Sequence, residues 1–146
     1  MKYTIRIEIN LPREKVVSLF LDPDKLHKWQ PGFRSYERIA GEAGEVGARA
    51  RLRYEMGGRD TEMIETVTEG ALPEAYHAQY ETDGVLNIQE NYFNEIASET
   101  TEWVSVSEFR FSGFPMKLMG WLMPGAFKKQ SEKFMENFKE FAESES

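Results

Sequence analysis

The chain contains no cysteine. That excludes a disulfide framework, cysteine-ligated zinc and thiol catalysis, and it is compatible with a reducing compartment. It also lacks any apolar run near the ~20 residues of a membrane-spanning helix. The first ten residues, MKYTIRIEIN, alternate polar and apolar side chains and have no continuous apolar stretch, so they do not read as a secretory signal. Basic residues are few and scattered: 18 Lys and Arg stand against 25 Asp and Glu, for a formal net charge of −7. Such a balance disfavours nucleic acid and anionic membrane surfaces. There are only two histidines, His27 and His77, and they do not share a metal-ligand spacing. The sequence therefore implies no metal and no cofactor. It has no phosphate-binding glycine loop, dinucleotide fingerprint or G-x-S-x-G elbow. Together these exclusions point to a cytoplasmic protein with no nucleic-acid partner and no stable membrane insertion.

What is present is one domain's length, 146 residues, enough to bury roughly 70% of the unfolded surface without a staple. Aromatic residues make up 13% of it and there are seven Met. Such a composition suits a core of large side chains, or a hollow core lined by them.

The period of the apolar residues changes twice along the chain. Tyr3, Ile5, Ile7, Ile9 and Leu11 alternate with polar residues, as in a half-buried strand. Pro12 and Glu14 then suit the first turn of a helix whose apolar face is Val16, Val17, Leu19 and Phe20. Asp22-Pro23 opens a second short helix with Leu26 and Trp29 inward, which Pro31-Gly32 ends. From Phe33 to about Ser112 the chain reads as six strands: 33–40, 48–56, 60–69, 74–82, 85–97 and 100–112. Gly57-Gly58 and Asp83-Gly84 mark tight hairpins. After Gly113 helical spacing returns through Met116, Met119, Met123, Phe127, Phe134, Phe138 and Phe141. Pro124 and Gly125 interrupt it, which predicts a short first piece and a long helix from about Gly125. Hairpin-linked strands imply an antiparallel meander, and the long helix is the only element able to cover its apolar face.

This order resembles the START-like, helix-grip superfamily, also called SRPBCC. That group includes polyketide cyclase/dehydrase-like, coenzyme-Q-binding-like and Hsp90-ATPase-activator-like proteins. Pro12, Asp22-Pro23, Trp29 with Pro31-Gly32, Pro73 and the Phe-rich final helix carry the resemblance, which covers about residues 2–142. It implies an α+β fold: a seven-stranded, curved antiparallel sheet wrapped around a long C-terminal helix, with two short helices between strands 1 and 2. It also implies a mostly apolar cavity between sheet and helix.

Alternation nominates the residues that would line such a cavity. They are Trp29 and Phe33 near the first break; Tyr54, Met56, Met63, Glu65 and Tyr80 on the middle strands; and Phe127 with Met119 and Met123 from the last segment. The two final strands are ambiguous. One register turns Gln89, Asn91 and Phe93 inward with Trp103, Ser105 and Phe109. The other turns Ile88, Glu90 and Tyr92 inward with Val104, Val106 and Glu108. The candidate lining takes the first register. Either choice puts polar groups on the inner face, which a dry core would avoid.

Glu65 is the weak catalytic candidate, because a carboxylate among apolar groups has a raised pKa and can move a proton. His27 and His77 are expected to face outward. Arg49, Arg51 and Arg53 form a solvated row, with glutamates such as Glu62 opposite. The apolar stretch 113–129 reads as core or as a gate to the cavity, with a homodimer contact next. The leading functional expectation is binding of a small hydrophobic or amphipathic molecule, such as a lipid, quinone or polyketide-like compound. The alternatives are a cyclase/dehydratase-type enzyme and a protein-interaction module.

Overall fold

A computed structural model describes residues 1–112 and 124–145. The elements follow the order β1 (Lys2–Ile9), α1 (Arg13–Leu21), a 3-10 helix (Pro23–Lys28), β2 (Phe33–Ala40), β3 (Arg49–Met56), β4 (Arg59–Glu69), β5 (Ala75–Thr82), β6 (Val85–Ala97), β7 (Thr100–Phe111) and α2 (Pro124–Ser144). The seven strands form one antiparallel sheet in the order β1-β7-β6-β5-β4-β3-β2. Only β1 departs from sequence order: it pairs with β7 across nearly the full chain, Lys2 opposite Glu108.

Local chemistry explains the boundaries. Asp22 caps the 3-10 helix by accepting a hydrogen bond from the Asp24 N–H at 2.9 Å, with Pro23 preset for a first turn. The chain then reaches β2 through Gly32, whose φ of +80° is accessible to glycine without strain. A side chain there would also strike the Glu55 carbonyl, which lies 2.2 Å from where a Cβ would sit. The α2 helix opens at Pro124, where a missing N–H costs nothing. The expected short helical piece before it, with Met116, Met119, Trp121 and Met123, lies outside the described residues.

One face of the sheet is apolar and receives both α1 and α2. Val16, Val17 and Leu19 of α1 are buried, as are Met135, Phe138, Phe141 and Ala142 of α2. Phe138 is 0% exposed and meets Phe20, Trp29 and Trp103 edge-on, with ring centroids 6.0, 5.0 and 5.3 Å away. Edge-to-face contacts of this kind add stability beyond the buried area. Polar contacts fix the helix at both ends. The Tyr3 hydroxyl lies 2.6 Å from Ser131 Oγ and donates to the Phe127 carbonyl at 3.2 Å. Lys139 Nζ donates to the Glu8 carbonyl at 2.6 Å, and Glu143 accepts from the Asn10 N–H at 2.8 Å.

The opposite face carries the charges. Arg51 bridges Glu37 and Glu62 at 3.0 and 3.1 Å, and Arg53 shares Glu62 at 3.2 Å. His27 is exposed. His77 points to this outer face but is covered there. Its Nε2 is 3.3 Å from Glu69, and its ring meets Tyr92 edge-on at 5.0 Å. No helix among the described residues is long and apolar enough to cross a membrane.

Candidate functional site

Cross-strand register decides which side chains meet inside. One row across the sheet runs Arg38, Ala50, Glu65, Tyr80, Asn87, Phe109, each directly opposite the next. Successive rows two residues away place Tyr76, Asn91 and Ser105 together, and Ala78, Gln89 and Ser107 together. The polar stripe of β6 and β7 is therefore on the inner face. Gln89 and Asn91 face inward with Ser105 and Ser107; Glu90 and Val106 face out.

Between this face, the 3-10 helix and α2 lies a cavity of about 300 Å³. This volume is at the small end of ligand pockets. Its wall includes Trp29, Tyr54, Met56, Met63, Glu65, Tyr80, Gln89, Trp103, Ser105, Phe109 and Phe127 from the sequence-derived set. Phe20, Gln30, Tyr36, Arg38, Tyr76 and Asn87 also line it.

Three expected lining residues are not on the wall. Phe33 packs edge-on against Tyr54 at 5.8 Å, behind the ring that does face the cavity. Phe93 is 0% exposed, held between Phe20 and Trp103 at 5.2 and 6.2 Å. Asn91 is equally buried, its Oδ1 accepting from Trp103 Nε1 at 3.0 Å. For Asn91 and Phe93 the inward register holds, but aromatic side chains fill the space in front of them. Met119 and Met123 lie outside the described residues.

Arg38 and Tyr36 were missed for a definite reason. Strict alternation from Phe33 would turn Ser35 and Glu37 inward. A register shift between Phe33 and Ser35 moves the parity by one, so Tyr36 faces Leu52 and Arg38 faces Ala50 on the inner side. The signal was weak: an arginine and a tyrosine two apart on an edge strand.

The electrostatic centre of the cavity is Glu65. Tyr80, its cross-strand neighbour, donates a hydroxyl hydrogen bond to it at 2.8 Å. The Tyr76 phenol is near enough to act on its titration as well. Burial pushes the Glu65 carboxyl above the usual carboxylate range; the two tyrosines and the Arg38 guanidinium pull the other way without cancelling it. The carboxylate in turn reinforces the effect of burial on Tyr54, Tyr76 and Tyr80, holding all three phenols above their ordinary range. Tyr54 donates to Gln30 Oε1 at 2.6 Å, which ties β3 to the end of the 3-10 helix. Arg38 is exposed, with its guanidinium 2.6 Å from the Tyr36 hydroxyl and 5.6 Å from the centre of that ring. On the other side, Gln89 Nε2 donates to Asn87 Oδ1 at 2.8 Å, and Asn87 Nδ2 to the Glu108 carbonyl at 3.2 Å. The site thus combines large apolar surface with one proton-holding group and a chain of amides. Among the described residues no cluster of His, Asp and Glu is arranged to hold a metal ion.

The model of a family described as polyketide cyclase/dehydrase and lipid transport matches residues 1–143. The chain belongs to that family. Solved structures with the same fold include the Zhui aromatase/cyclase of a Streptomyces species, R1128. It is 12% identical with a TM-score of 0.83, covering 98% of this chain and 93% of that one. A protein of Thermus thermophilus is 18% identical with a TM-score of 0.78, covering 100% and 99%. A START superfamily protein of Mycobacterium smegmatis is 15% identical with a TM-score of 0.72, covering 99% and 95%. At these identities the likeness is one of fold. No functionally curated protein matches the chain. The family and these neighbours make this a START-like, hydrophobic-ligand-binding fold.

Proposed function

We propose that the protein binds one small, largely apolar molecule in the cavity between the sheet and α2, as a carrier or sequestering protein. One observation carries the reading: an interior walled by Phe20, Trp29, Trp103, Phe109 and Phe127 keeps about 300 Å³ open instead of collapsing around it. A core optimised only for stability closes such space, because every unfilled contact forfeits dispersion energy. The volume selects a ligand of modest size, a single aromatic system or short chain in place of a full diacyl lipid. Native mass spectrometry of protein recovered from its host is expected to show a co-purifying mass. The Ser105→Phe variant, which fills the wall beside Trp103, is expected to fold and to lack that mass. Protein that is always ligand-free, or a bound mass that survives Ser105→Phe, would sink the reading.

A second reading rests on Glu65. A carboxyl held above its usual range, bonded to the Tyr80 phenol and facing an apolar space, is equipped to donate or accept a proton in a bound molecule. In a cyclase- or dehydratase-type reaction it would be the acid/base, with Tyr80 as its orienting partner. Glu65→Gln would then abolish turnover while leaving binding in place.

A further inference from the structure

The binding reading leaves open which polar group, if any, the ligand carries into the aromatic end of the cavity. Trp29 decides this. Its ring lies on the cavity wall, 5% exposed, packed against Phe20, Phe138 and Trp103 at 6.0, 5.0 and 6.4 Å. Its indole N–H has no hydrogen-bond partner among the described residues. Buried N–H groups are almost always paired, so an unpaired one calls for an explanation.

No described side chain supplies the missing acceptor. Asn91 Oδ1 is taken by the N–H of Trp103 at 3.0 Å. The orientation of that amide is forced, since an indole can only donate. It leaves Asn91 Nδ2, on a side chain 0% exposed, as a second unpaired donor. Trp29 Nε1 and Asn91 Nδ2 are thus two buried N–H donors without an acceptor among the described residues. Phe20, Leu26 and Met135 line the same cavity, with Gln30 and Ser105 among its polar groups.

We infer that Trp29 Nε1–H is a ligand-recognition donor, and that the cavity takes a neutral, apolar molecule presenting a carbonyl-type oxygen to it. This inference rests on the binding reading above. A carbonyl oxygen accepts without donating, which matches a donor-only site. A carboxylate would lose its hydration against a largely apolar wall, and Arg38, the one cation lining the cavity among the described residues, is exposed and hydrogen-bonded to Tyr36. A hydroxyl would add a further donor where donors are already in excess.

The test uses two probes of one shape. In 2-acetylnaphthalene a carbonyl stands where 2-isopropenylnaphthalene has C=CH₂. A wall with no partner for the oxygen favours the hydrocarbon, because the ketone must give up its water. Calorimetric titration of the native protein is expected to show the ketone binding more tightly by roughly tenfold, the scale of a buried donor left unpaired. In Trp29→Phe the ratio of the two affinities is expected to fall to about one or below, since no donor remains.

A measurement on the unaltered protein guards against a variant that fails to fold. In ¹⁵N-labelled protein the Trp29 indole resonance, identified against Trp103→Phe and Trp121→Phe spectra, is expected to move downfield with the ketone and not with the hydrocarbon. Equal or reversed affinities, or an indole resonance indifferent to the carbonyl, would overturn the inference and leave cavity binding standing; a buried water on the indole would give this result. Failure of both probes to bind would overturn the cavity reading and this inference with it.

Discussion

The Tyr80 hydroxyl donates to Glu65 at 2.8 Å, and the two residues face each other across β4 and β5. The pair sits where burial opposes ionisation, so it makes the protein's stability depend on pH in a definite direction. Burial raises the folded-state pKa of Glu65 above its unfolded value. Below the unfolded value both states are protonated and the carboxyl costs nothing. As pH rises toward the folded value, the unfolded chain releases its proton more readily, and stability falls. Glu65→Gln removes the titration while keeping an acceptor for Tyr80. The variant is expected to match the native protein near pH 4 and to exceed its stability at pH 7–8. Urea unfolding from pH 4 to 8 reads this. A difference that does not change with pH would contradict the assignment.

Phe138 ties α2 to the sheet through the Trp103 ring, and to α1 and the end of the 3-10 helix through the rings of Phe20 and Trp29. Phe138→Ala is expected to cost about 3–5 kcal/mol, the range for removing a fully buried aromatic side chain. Equilibrium denaturation measures it. A loss below about 1 kcal/mol would mean that the cavity can collapse into the vacated space, and that the helix is held chiefly by its polar ends.

Gly32 and Gly58 share nearly the same positive φ, +80° and +78°, but not the same surroundings. A Cβ at Gly58 meets nothing within 4 Å, whereas at Gly32 it lies 2.2 Å from the Glu55 carbonyl oxygen. That carbonyl is backbone, held in the β3 ladder, and Glu55 also donates its N–H to the Gly32 carbonyl at 2.8 Å. Gly58→Ala is expected to cost about 1 kcal/mol, from backbone strain alone. Gly32→Ala is expected to cost roughly 2 kcal/mol or more, because the clash adds to the strain. Thermal unfolding of the two variants separates these terms; equal losses would remove the clash from the account.

Much of this architecture is written in local chemistry. Tyr3 to Leu11 alternates because β1 buries one face, and Asp83-Gly84 joins β5 to β6 because a tight turn needs Gly84 at φ +75°. Asp22-Pro23 starts the 3-10 helix, as a capping oxygen followed by proline should. The wall of the cavity was legible only where alternation runs unbroken, as from Met63 through Glu65 to Val67. It failed at two kinds of place. In β2 a register shift reverses the parity, so Tyr36 and Arg38 turn inward against the simple pattern. On β6 the observed register, with Gln89, Asn91 and Phe93 inward, is one of the two that alternation allows. Whether an inward residue touches open space depends on side chains far away in sequence, though. Phe20 and Trp103 stand before Phe93, and Trp103 takes up Asn91. Periodicity reports which face a residue occupies; it does not report what stands in front of it.

The placement of β1 has a consequence for how the chain acquires its shape. Lys2 to Ile9 comes before the other six strands of the sheet in the chain, yet its partner runs from Thr101 to Glu108. The meander from β2 to β7 can zip locally, hairpin by hairpin, while the first strand waits for a partner about a hundred residues away. Closing so long a loop before its contacts repay the entropy makes folding slow. Until β7 arrives, β1 remains an alternating strand with unpaired backbone, open to pairing with another chain.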